Sequence, residues 1–223
     1  MAKSSRGAEK SARRPRRAYH HGDLKEALIE AGLGLLAESG NPAALGLREA
    51  SRRVGVSQAA PYAHFRDKRA LLAAVAERGF RMFADSMLRS AGALAPGEER
   101  LAALAQGYVT FALENPALYR LMFGPDLAIR ETATALAEAA GASFRVLLES
   151  IGGDPHAPET AAAALAAWSF AHGLALLLID GRIRPDEVGA EDVAGAVAAA
   201  ARRLRIDANP AHGSSPRVEP KKA

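Results

Sequence analysis

The chain has 223 residues, 49% of them apolar and only 5% aromatic, which favours packed helices and leaves ample material for a buried core. It has no cysteine, which excludes disulfides and thiolate metal sites, and it shows neither an apolar leader nor an apolar run of about 18 residues free of polar interruption, so it reads as soluble and cytoplasmic with no membrane partner. The formal charge of +4 is unevenly spread: residues 1–69 carry 14 Lys/Arg against 7 Asp/Glu and residues 70–210 carry 12 against 17, so only one end suits a polyanion.

Residues 1–18 form a polar, basic arm that includes Arg13-Arg14-Pro15-Arg16-Arg17 and has no periodic apolar face; it is expected to be disordered, either as a solubilising tail or as a DNA-seeking arm. From Asp23, which can cap, Leu24, Leu28, Ala31 and Leu35 recur at helical spacing until Ser39-Gly40-Asn41-Pro42 stops the run. A short helix fits Leu47–Val54, with Arg48, Arg52 and Arg53 facing away from Leu47, Ala50 and Val54. Gly55 breaks it, and Ser57 is placed to cap a third helix in which Pro61 would be the fourth residue, at the edge of the first turn. Helix, glycine turn and capped short helix together make a helix-turn-helix signature.

A long helix follows from about Asp67 to Ala91, with Leu71, Leu72, Val75, Phe80, Phe83 and Met87 as its apolar positions. Beyond a boundary at Ala95-Pro96-Gly97, helices are expected over Glu98–Glu114, Pro116–Phe123, Pro125–Ile151, Pro158–Asp180 and Ala190–Ile206, and the Pro/Ser/Lys-rich tail, 207–223, reads as disordered. No period-2 strand and no internal repeat is present. The expected fold class is therefore all-α, with a DNA-binding domain over 19–69 and a helical domain over 70–206.

The segment GLREASRRVGVSQAAPYAHFRDKRALLAAV, residues 46–75, resembles the DNA-binding helix-turn-helix of the TetR family of bacterial transcriptional regulators, and the likeness extends back to Tyr19-His20-His21-Gly22. Order, spacing and the ending Tyr62-x-x-Phe65-x-x-Lys68 all match, where a generic helix-turn-helix would share only the Gly55 turn. The residues independently suit that role. Base edges in the major groove are reached from the start of a recognition helix by small or polar side chains, which Ser57, Gln58, Ala59 and Ala60 supply: Gln58 for adenine, the alanines for thymine methyls. Tyr62 and His64 offer donors to phosphates, and Lys68 stands at a helix start, where a phosphate is favoured. Arg48 is open between backbone contact and solvated face, and Phe65 reads as core. The family more usually has leucine where Pro61 stands, a departure that bears on the operator sequence rather than on DNA binding.

Ala167-Trp168-Ser169-Phe170-Ala171-His172-Gly173 resembles the Trp-x-x-x-His-Gly signature of one TetR subgroup. The resemblance implies a homodimer on double-stranded DNA, its last two long helices pairing with their twofold mates through Ala161–Ala164 and Ala196–Ala201, and a small-molecule effector between the middle helices. Tyr108, Phe111, Met122, Phe123, Phe144, Trp168 and His172 are the candidate pocket residues, each also readable as core, and an apolar or amphipathic ligand would suit them. An enzyme reading lacks its parts: there is no phosphate-cradling glycine loop, nucleophile elbow or His-Glu-x-x-His helix. His20-His21 with Asp23 reads as capping or phosphate contact rather than a metal cluster, so neither metal nor cofactor is expected. The alternative function is a ligand-independent helical DNA-binding or protein-interaction module.

Overall fold

The computed structural model describes residues 21–125, 127 and 134–184. Among them lie seven α-helices: α1 (His21–Ser39), α2 (Leu47–Val54), α3 (Lys68–Ala91), α4 (Glu98–Glu114), α5 (Pro116–Phe123), α6 (Thr134–Ile151) and α7 (Pro158–Ile179). Two short 3-10 turns, Pro42–Ala44 and Ala60–Ala63, complete the described elements, and no strand is found among them. The all-α expectation holds.

The fold is organised around α3. Its start is fixed by Asp67, in extended backbone, whose carboxylate accepts from the Ala70 N–H at 2.8 Å. Its first half packs on α1, and its second half packs among α4, α5 and α6. Leu71, Val75, Ala76 and Phe80 are buried to 2% exposure or less, and Leu72, Phe83 and Met87 are buried as well. Each large side chain so buried contributes roughly 1.5–3 kcal/mol. Glycines set the closest approaches. A Cβ on Gly32 would lie 2.7 Å from Val75 Cγ2, one on Gly79 2.7 Å from Met122 Sδ, and one on Gly107 2.8 Å from the Ser86 carbonyl oxygen. Only hydrogen at these positions lets α1, α5 and α4 sit as tightly as they do on α3.

The expected spans for residues 47–54, 98–114 and 116–123 agree with α2, α4 and α5. Elsewhere there are corrections. Asn41 does not simply end α1: its side chain accepts from Ala43 N–H at 2.9 Å and opens the first 3-10 turn. Asp67 and Asp180 are caps rather than helical residues. Helix α6 does not begin at Pro125, because Pro125 lies in a turn and Leu127 is not helical; α6 is first seen at Thr134. Proline at a helix start is a permissive signal, and here a competing turn at Gly124-Pro125 takes it. The basic arm, Tyr19-His20, the expected helix Ala190–Ile206 and the tail lie outside the described residues.

Helix α7, apolar all round, should be covered on several sides, but among the described residues it packs chiefly on α4 and α6. Its inward stripe is made of small residues, Thr160, Ala163, Ala164, Ala171 and Ala175, while Leu165 stands 56% exposed. By length and composition alone α7 could cross a membrane, a point missed when Thr160, Ser169 and His172 are counted as interruptions.

Candidate DNA-binding head and interior cavity

The head is formed by α1, α2, the segment after α2 and the start of α3. Helix α2 closes in a left-handed turn at Gly55, φ +79°, where the Gly55 and Val56 N–H groups both donate to the Ser51 carbonyl. Buried Ser51 in turn donates to the Leu47 carbonyl at 2.6 Å, and the Arg53 guanidinium clasps both carboxylate oxygens of Glu38 on α1. That hydrogen bonding holds the Glu38 carboxyl below its ordinary range and raises Arg53.

The segment after Gly55 corrects the sequence reading. Ser57 does not cap an α-helix. Ser57–Ala59 form a turn, followed by the 3-10 turn Ala60–Ala63, with Ala59 at its N-cap and no side-chain cap bond. The cause is Pro61. An α-helical first turn would have the residue 61 N–H donate to the Ser57 carbonyl, and proline has none. That carbonyl instead accepts from Ala60 N–H at 3.1 Å, and the i→i+3 pattern continues with Tyr62 N–H to Ala59. Phe65, buried to 3%, pins the far end of the segment to the core, as expected.

This geometry leaves Ser57, Gln58, Ala59 and Tyr62 exposed on one short stretch, with Ala60 and His64 partly covered. In a 3-10 turn positions i and i+3 eclipse, so Ala59 and Tyr62 share a side. Arg48 and Arg52 are exposed on α2 and make no ion pair among the described residues. Lys68 is not idle at the start of α3: its ammonium donates to the Ala43 carbonyl at 3.0 Å, tying α3 to the first 3-10 turn and leaving two N–H donors. Arg78 on α3 binds Glu26 and, at 2.7 Å, Glu30, fastening α1 to α3.

About 18 Å along α3 from Lys68, by helix rise, the same helix becomes the wall of a cavity of about 750 Å³. Tyr108, Met122, Phe123, Phe144, Trp168 and His172 line it, bringing together six of the seven residues proposed from sequence. Phe111 does not line it; it lies in the core with its ring 5.3 Å from that of Phe83. Phe80, Phe83 and Met87 are cavity-lining residues read from sequence only as apolar positions of a helix, and Leu104, which the sequence reading did not single out, lines the cavity with them. Their helical spacing gives no sign of whether a buried face meets protein or space.

Two polar groups of the wall, Tyr108 and His172, form a triad with Tyr119, which is fully buried behind it. The Tyr119 hydroxyl lies 2.6 Å and the Tyr108 hydroxyl 2.9 Å from His172 Nδ1, and the hydroxyls are 3.0 Å apart. Burial pushes Tyr108 up to about 12, with Tyr119 and the Trp168 indole acting against it, and burial also raises Tyr119. Burial lowers His172. All three groups are therefore neutral near pH 7. The protons can then be counted. With both hydroxyl protons kept inside the triad, each needs its own acceptor there, because two hydroxyls cannot donate to each other. Only an unprotonated Nδ1 satisfies both: Tyr119 donates to Nδ1, Tyr108 donates to Tyr119 or shares Nδ1, and the imidazole proton sits on Nε2. Among the described residues Nε2 has no hydrogen-bond partner, and His172 lines the cavity.

Residues 25–75 match the bacterial regulatory proteins of the tetR family, and residues 101–204 match a tetracyclin repressor-like C-terminal domain. No curated protein matches the chain. Among solved structures, a protein of unknown function from Rhodococcus sp. RHA1 is 31% identical, with 86% of this chain and 100% of that one covered and a TM-score of 0.67. TetR from Acinetobacter baumannii AYE is 25% identical over 84% of this chain and 98% of its own, with a TM-score of 0.54. The regulator FadR from Bacillus subtilis, solved in complex with stearoyl-CoA, shares the fold at 14% identity, 82% and 98% coverage and a TM-score of 0.58.

Proposed function

The chain belongs to the TetR family of bacterial regulatory proteins, DNA-binding transcription regulators rather than enzymes, and from that premise we propose that it is a cytoplasmic, homodimeric repressor released from a palindromic operator when a small molecule fills the cavity. The observation that carries this reading is the continuity of α3. One rigid helix is fastened to the head through Val75 and Arg78 and forms the cavity wall through Phe80, Phe83 and Met87. A ligand that displaces the wall displaces the head. The ligand must bind the displaced state more tightly, or no equilibrium shifts.

In the head we assign base reading to Ser57, Gln58, Ala59 and Ala60, and phosphate contact to Arg48, Tyr62, His64 and Lys68. The domains divide accordingly, 19–69 for DNA and 70–206 for ligand and dimer, with α3 common to both. The dimer is assigned to the outward face of α7, where Ala161, Ala162 and Ala166 are exposed; Leu165 and Ser169 are exposed too but line the cavity. An apolar face of this length is uncommon on a monomer. A twofold pair would set two heads about 34 Å apart, one turn of DNA.

The test is binding of a labelled duplex from the region upstream of its own coding sequence, titrated across salt. Affinity should fall steeply with salt. Lys68→Ala should reduce the salt slope by about one, and Tyr62→Ala should weaken binding to every sequence. Gln58→Ala should change sequence preference, at about 1–3 kcal/mol for the base it reads. No retardation at low salt refutes the regulator reading, and equal effects of Tyr62→Ala and Gln58→Ala on all sequences refute the division of roles.

A further inference from the structure

Among the described residues the wall of the cavity carries no Lys, Arg, Asp or Glu. An ionised group placed inside it would lose its hydration with no opposite charge in return, a cost of several kcal/mol even after relaxation. Two of the polar side chains present are committed: Ser143 donates to the Ala140 carbonyl at 2.7 Å, and the Tyr108 hydroxyl is held within the triad. Ser169 and Trp168, which also line the cavity, are exposed. The half-buried donor among those left is His172 Nε2–H, whose ring is held between Tyr119, 5.6 Å away, Phe123 at 5.0 Å and Trp168 at 6.1 Å. The two tyrosine hydroxyls therefore do more than satisfy a core histidine. By occupying Nδ1 as an acceptor they fix the tautomer that offers a proton at Nε2.

Resting on the reading of this cavity as the effector site, we propose that its ligand is an uncharged, lipophilic molecule with one hydrogen-bond acceptor of the carbonyl class (ketone, ester, lactone or amide) that takes the Nε2–H of His172. The apolar body of such a ligand would lie against Phe80, Phe83, Leu104 and Phe144. A cavity of about 750 Å³ accommodates a chain or ring system of drug-like size. A carboxylate would meet the same donor but would leave a bare charge in the wall, and a hydrocarbon would leave the donor dry.

The single tryptophan of the chain, Trp168, lines the cavity and supplies the readout. Full-length protein is titrated with 2-dodecanone, dodecane and dodecanoate at neutral pH while Trp168 emission is followed. The proposal expects 2-dodecanone to bind about five- to tenfold tighter than dodecane, the worth of one net hydrogen bond, expects a wider margin over dodecanoate, whose charge is unpaired in the wall, and expects the preference over dodecane to vanish in His172→Phe. If none of the three perturbs Trp168, the effector-site reading fails and takes this proposal with it. If dodecane or dodecanoate binds the native protein as well as 2-dodecanone, the cavity is a ligand site and the assigned class is wrong. Nitrogen-15 NMR of the native protein adds a check that survives misfolding of the variant: His172 should carry its proton on Nε2, and a proton on Nδ1 overturns the proposal.

Discussion

Gly107→Ala should destabilise the protein although it replaces a helical glycine with the best helix former. In an unconstrained helix that change gains about 1 kcal/mol. Here the new Cβ would stand 2.8 Å from the Ser86 carbonyl oxygen and 2.9 Å from Met87 Cα, against about 3.4 Å for the start of ordinary contact. Both are backbone atoms of α3, so no side chain can swing aside. Helix α4 must back away, at an overpacking cost of roughly 1–3 kcal/mol. The 3.2 Å bond from Ser86 Oγ to the Gly107 carbonyl is stretched with it, losing about 1 kcal/mol. The net is a loss of about 2 kcal/mol, or roughly 4–8 °C in Tm for a chain of this size. Gly141→Ala on α6 is the control, because its Cβ would meet only Arg145 Nη1 at 3.6 Å; it should raise stability by about 0.5–1 kcal/mol. Thermal unfolding of the three proteins at one concentration decides the matter. A Tm for Gly107→Ala equal to or above the native value would refute the claim that α4 rests on α3 through a glycine contact.

Phe65→Ala should cost about 3–5 kcal/mol, seen in chemical denaturation, and should lower DNA affinity with it, since Phe65 anchors the segment that holds Tyr62. Tyr108 titrates near 12 in the fold against an ordinary 10. The unfolded chain therefore loses this proton first, and the stabilisation present below pH 10 is lost as pH rises toward 12. Tyr108→Phe should flatten that alkaline fall, and an unchanged profile would contradict burial of the hydroxyl. Ala162→Glu, placed on the exposed face of α7, should convert a dimer to monomer in sedimentation; a variant still dimeric would move the interface elsewhere.

Much of this architecture was legible in the residues, and the failures have physical causes. Leu71, Val75, Phe80 and Met87 announce α3 through their spacing, and Gly55 announces the turn, since few other residues accept φ +79° cheaply. Pro61 was seen but misjudged. Its effect lies in the missing N–H, which turns an expected α-helix into a 3-10 turn and removes the capping role given to Ser57. The cavity was half legible. Aromatic side chains on the middle helices announced large buried surfaces, but whether Phe111 faces protein and Phe83 faces space depends on how four helices cross. The Tyr108, Tyr119 and His172 triad joins residues up to 64 positions apart, and no local pattern reports such a meeting.

The central claim is that head and cavity are coupled through α3, and linkage makes it testable without knowing the ligand, because a cavity that alters DNA affinity must itself be altered by DNA. The measurement is Trp168 emission during titration with the upstream duplex, read alongside anisotropy of the labelled DNA. The account predicts a saturable change in Trp168 emission with the same midpoint as DNA binding, and none with an unrelated duplex. Saturated, sequence-specific binding that leaves Trp168 emission unchanged would contradict it.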